Sequence, residues 1–216
     1  MLPHAYFITM KKLPSTLFLR LSVAAATLLV PIASAAVVLK VPPKMVSQSV
    51  AAKTGSLSPS QTFKALASHY YLAGNVLANA LNPDASTRLK LYAVTVSEDS
   101  GGQAVFKPMS LKNTSNLDAA LAAAVGGQIG VNMLAMTTGR FIEPAPPSSL
   151  KFLQALAEKM SRSGMGDPQE ILERAFSRSG RVMQTKALTL HSIAIDLAAK
   201  GRLTGPEVDA IVRLRP

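Results

Sequence analysis

The 216-residue chain has no cysteine, only 5% aromatic residues, and no acidic residue before Asp84. The first absence excludes a disulfide framework, a thiolate zinc site and a thiol nucleophile. It does not decide the compartment, because exported proteins without cysteine are ordinary. The second, set beside a hydrophobic content of 48%, implies an alanine- and leucine-rich interior of packed helices. Two motifs are also missing. Without G-x-x-x-x-G-K-[ST] the chain carries no P-loop ATPase, and without G-x-S-x-G it has no hydrolase elbow. The length allows one domain with a sizeable core, or one domain and a tail.

The acid-free N-terminus reads as an export signal. Met10-Lys11-Lys12 opens a basic region, Leu21 to Ile32 is apolar, and Ala33-Ser34-Ala35 fits a small-residue cleavage site before Ala36. Met10 is a better start than Met1, because it puts the lysines at the front. Two alternatives stay open. Leu21 to Leu39 gives 19 residues without a charge, near the length of a membrane anchor, and the lack of acids suits an organelle presequence. The expected location is therefore exported, periplasmic or secreted, with organelle import or an N-terminal anchor as alternatives. Removing residues 1–35 takes away Lys11, Lys12 and Arg20 and leaves 20 basic against 12 acidic residues. The basic residues are scattered and not interleaved with aromatics, which predicts solvated surface charge. Weak contact with an anionic membrane surface is compatible with that, but no specific nucleic-acid binding is expected.

Residues 36–57, rich in Pro, Ser and Lys, read as a linker, and 58–216 as the folded domain. Ser58, Pro59 and Gln61 mark a helix start, and Asn82-Pro83 its end. Phe63, Leu66, Ala67, Tyr70, Gly74, Leu77 and Leu81 form its expected buried stripe. Arg88 to Val96 and Gln103 to Met109 alternate as two strands around the turn Glu98 to Gly102, with Pro108 placing the second strand at an edge or ending it. A second helix is expected from about Leu117 to Met136 after a Ser115–Asp118 cap, with Gly126, Gly127 and Gly130 permitting a close backbone approach. A third spans Ser148 to Arg162 with Leu150, Leu153, Leu156, Ala157 and Met160 buried. Asp167 and Pro168 open a fourth that continues to Lys200-Gly201, and Thr204 with Glu207 caps a short last helix. The predicted fold is mainly α, with one β-hairpin after the first helix.

Within the first helix, Tyr71-Leu72-Ala73-Gly74-Asn75 has the layout of an H-E-x-x-H zinc motif with the Ala-Gly kept and the ligands and base replaced. Further on come Gly126-Gly127-Gln128, Thr137-Thr138-Gly139, Ser148-Ser149-Leu150, Leu156 to Met160, Gly164-Met165, Ile171 to Ala175 and Leu203 to Val208. In this order, residues 60–213 resemble the zinc metallopeptidase domain of FtsH-like membrane proteases. The resemblance implies a helical metallopeptidase-like domain. It places that family's two zinc histidines on Tyr71 and Asn75, its catalytic Glu on Leu72, and its third ligand, an Asp, on Ser149. Two glutamates of the family fall on Val131 and Asn132 or their neighbours. Neutral Asn and Ser are poor zinc ligands, protonated Tyr a weak one, and Leu moves no proton.

On this reading no catalytic residue, no metal and no cofactor is expected, although zinc serves the related family. Tyr71, Leu72, Asn75 and Ser149 are vestigial site positions. The expected function is that of a pseudopeptidase, leaning away from enzyme activity, with a binding or scaffolding role toward a protein or peptide partner in the cell envelope. The alternatives are a zinc metallopeptidase with unusual ligands acting in proteolysis, one version of which would use His69 and His191 with a carboxylate, and an unrelated helical envelope interaction protein. If the frame is inherited, Tyr71, Asn75 and Ser149 should meet in space and Leu72 should be absorbed into packing.

Overall fold

In the computed structural model the described residues are 38–41, 59–83, 86–97, 101–139 and 147–214. The segments read as signal peptide and turn (Glu98–Ser100), most of the segment read as linker, and Ser58 lie outside them. Helix α1 (Pro59–Ala80) is followed by strands β2 (Leu91–Ser97) and β3 (Gly101–Phe106). Helices α2 (Thr114–Thr138), α3 (Pro147–Arg162), α4 (Pro168–Gln184), α5 (Ala187–Lys200) and α6 (Gly205–Leu214) complete a mainly helical domain. The hairpin after the first helix is present.

Two short strands extend it. β1 (Val38–Val41), inside the segment read as linker, pairs antiparallel with β3, and β4 (Arg202–Thr204) pairs antiparallel with β2. The sheet order is β1-β3-β2-β4, so β3 is a central strand. It stops at Phe106, before Pro108, whose missing N–H could not have joined a ladder on both sides.

The predicted fourth helix is two. Thr185 and Lys186 form a turn between α4 and α5, with Lys186 at φ −119° and ψ 30°. The Thr185 hydroxyl donates to the Val182 carbonyl at 2.8 Å, a local bond that competes with helix continuation. The turn lets Ile171, Ala175 and Met183 on α4, and Leu190, Ile193, Ala194 and Leu197 on α5, all reach the core. At α2 the cap is Asn113, whose side chain accepts from the Ser115 N–H, so the helix starts earlier than the Ser115–Asp118 pattern suggests. Leu150, expected in the buried stripe of α3, is 47% exposed, because α3 turns Leu153, Leu156, Ala157 and Met160 inward instead.

Helix α1 is more than amphipathic: every residue from Ala67 to Asn79 is buried. It packs against α2 and α5, and its remaining surface meets the sheet. α2 is the one helix among the described residues long and apolar enough to cross a membrane, yet 72% of that stretch is buried inside the domain. It is a core helix. The α1–α2 crossing is closed by Gly74, Gly126 and Gly130. A Cβ at Gly74 would lie 2.1 Å from the Gly126 carbonyl oxygen, and one at Gly130 would lie 2.3 Å from that of Tyr70. Backbone touches backbone along this seam.

Asn79, near the end of α1, grips the segment entering β2. Its Nδ2 donates to the Leu89 carbonyl and its Oδ1 accepts from the Leu89 N–H, both at 2.8 Å. At the other end of the domain, the Thr204 N–H and hydroxyl both donate to Glu207 Oε2 at 2.8 Å and open α6. Those bonds, with Lys200 nearby, hold the Glu207 carboxyl below its ordinary value of 4.5. A depressed carboxylate contributes stability above the unfolded value and loses it as pH falls through the folded one. The protection factor of the Thr204 amide, taken relative to its intrinsic exchange rate, should therefore fall in mild acid, and Glu207→Gln should remove that pH dependence. An unchanged acid response in the variant would show that another group opens α6.

Candidate functional site

The positions singled out on α1 face α2 and α3. Tyr71 and Asn75 are one helical turn apart, so their side chains stack on one side of α1. Both press on Gly127 of α2: a Cβ there would lie 2.5 Å from Asn75 Oδ1 and 2.7 Å from Tyr71 Cζ. Any side chain at 127 would expel one of them. Ser149, in the first turn of α3, shares a hydrogen bond with the Tyr71 phenol. Tyr71, Asn75, Gly127 and Ser149 thus form one cluster drawn from three helices. Burial pushes the Tyr71 phenol above its usual value, and the bond with Ser149 works in the opposite direction. The cluster is neutral across the physiological range.

Asn75 is the most unusual member. It is fully buried, and neither atom of its amide has a hydrogen-bond partner among the described residues. Such a group costs about 1–3 kcal/mol, so its place is not explained by packing alone. Leu72 is also completely buried, within the hydrophobic core. Of the two α2 positions carried by the resemblance, Val131 is buried, whereas Asn132 is exposed and accepts from Gln128 Nε2 at 2.9 Å.

The residues do not fit a zinc ion. The three positions where ligands would stand offer a phenol held protonated, an amide and a hydroxyl. Among the described residues no three of His, Asp and Glu gather anywhere. His69 and His191, the alternative ligands, are engaged separately. His69 is buried with its Nδ1 3.4 Å from the Ser68 hydroxyl. His191, exposed on α5, shares a hydrogen bond with the Tyr70 hydroxyl, and the two rings lie 6.0 Å apart. This Tyr70–His191 contact joins α1 to α5 and was not anticipated, since 121 positions separate the partners. The seat at Gly127 had a visible signal, a glycine pair inside a helix, but nothing local named the side chains resting on it.

Comparison with known proteins names no family: no family model matches the chain, and no curated protein matches it.

Proposed function

We propose that this chain is a non-catalytic, metallopeptidase-like module of the cell envelope that binds a protein or peptide partner without cutting it. One observation carries the reading. Three positions that a resemblance to FtsH-like peptidases assigns to zinc ligands, Tyr71, Asn75 and Ser149, come together across α1 and α3 although 78 positions separate Tyr71 from Ser149. They meet as neutral groups, with Leu72 sealed in the core where the family keeps a proton-moving Glu. The unpaired Asn75 amide adds support, because a polar group retained at a cost suits a position with an ancestral polar role.

The test has two arms. Purified protein is expected to hold far less than one zinc per chain and to show no chelator-sensitive cleavage of casein. Stoichiometric zinc with such cleavage would make it an active peptidase. The second arm restores ligands but not the base, with Tyr71→His, Asn75→His and Ser149→Asp together. Two imidazoles one turn apart and one carboxylate supply three ligands of a tetrahedral site. Binding of one Co²⁺ per chain with a tetrahedral absorption band is expected. A folded triple variant that binds none would remove the inherited-site argument.

A further inference from the structure

Two of the basic residues that look scattered along the chain stand side by side at one end of the sheet. Lys90 precedes β2 and Lys107 follows β3, and the Lys107 N–H donates to the Lys90 carbonyl at 2.8 Å. Both side chains are exposed, and neither joins an ion pair among the described residues, where the paired cations are Arg178 and Lys200. Tyr92, two residues after Lys90 and beside an irregularity in the β2–β3 register, is 60% exposed. Arg88, also exposed, extends the cluster and donates from Nε to the Asn82 carbonyl at 2.7 Å. No acidic residue occurs from Ser86 to Ser97 or from Gly101 to Leu117.

The register of β1 adds a second observation. Val38 pairs with Val105 and Val41 with Gly102, so the chain enters β1 at the end of the sheet where Lys107 leaves it. The apolar run Leu21 to Ile32 ends six positions before Val38.

We propose that this end of the sheet docks on an anionic phospholipid surface, with Lys90 and Lys107 against the headgroups and Tyr92 at the interface. Basic side chains gain from the negative potential of such a surface, and a tyrosine ring suits the boundary between headgroup and acyl chain. A nucleic-acid surface would call for several aromatic platforms along a groove, whereas this patch has one ring. Nothing in this orientation depends on what the Tyr71 cluster does.

The experiment is co-sedimentation of the full chain with vesicles of phosphatidylcholine alone and of phosphatidylcholine mixed with phosphatidylglycerol. The apolar run contributes to both, so the readout is the preference for the anionic vesicles. That preference should fall with added salt. It should drop roughly thirtyfold in Lys90→Gln/Lys107→Gln, from about fivefold for each lysine. Lys90→Arg/Lys107→Arg should retain it, and so should Lys159→Gln/Arg162→Gln on α3, which removes the same charge elsewhere. Equal loss in both Gln pairs, no preference for anionic lipid, or displacement from the vesicles by a single-stranded oligonucleotide would each overturn the proposal.

Discussion

Gly126→Ala is expected to lower the melting temperature substantially, although alanine is the better helix former. A Cβ on Gly126 lies 2.4 Å from both Ala78 Cβ and the Gly74 carbonyl oxygen. Neither neighbour is the end of a flexible side chain, so α1 and α2 would have to separate along the whole seam. Overpacking of this kind costs about 3 kcal/mol or more. The helix-propensity gain of about 1 kcal/mol does not offset it. The net loss of about 2 kcal/mol or more corresponds to a fall of roughly 4–8 °C or more for a domain of this size. Gly180→Ala on α4 is the matching control, because a Cβ there meets nothing within 4 Å. It should raise stability by about 0.5–1 kcal/mol. Thermal melts followed by circular dichroism give both signs, and equal responses would show that the seam does not limit stability.

Leu72→Glu should be at least as damaging. The leucine is fully buried and its burial is worth about 1.5–3 kcal/mol. The introduced carboxyl would lose that and would be desolvated. Burial raises a carboxyl's folded pKa, so the variant keeps most stability below the unfolded carboxyl value, near 4.3, and loses it as pH rises through the folded one. Chemical denaturation across that range should show the variant's deficit widening toward neutral pH by several kcal/mol. A flat pH response would mean that the new side chain reaches water. No peptidase activity should appear.

Features governed by neighbouring residues were legible in the sequence. Pro59 at the start of α1, Asp167 capping α4, and Gly139 and Gly201 ending α2 and α5 with φ of 65° and 72° each depend on chemistry within a turn. The short strands β1 and β4 were not legible, because three or four residues gain strand structure only from the partner they meet. The break at Thr185 carries no glycine or proline, and it follows from two helices needing different directions to bury their faces. The stripe drawn on α1 was too narrow, since a helix surrounded by others buries residues that no period marks. At the site, the approach of Ser149 to Tyr71 was reachable only through the ordered resemblance of weak motifs. The Asn79–Leu89 bonds and the Tyr70–His191 contact had no advance signal, because no spacing rule links such residues.

The two bonds from Asn79 to Leu89 have a mechanical consequence. They fasten the last turn of α1 to the polypeptide immediately before Lys90, so that helix and sheet are joined by hydrogen bonds as well as by the chain. Tyr71 lies eight residues earlier on the same rigid rod, about 12 Å along its axis. A surface that gripped the sheet at Lys90 would therefore hold the Tyr71 cluster at a set height and tilt above it, as a bracket holds a lamp, and whatever reached that cluster would have to approach from a single direction.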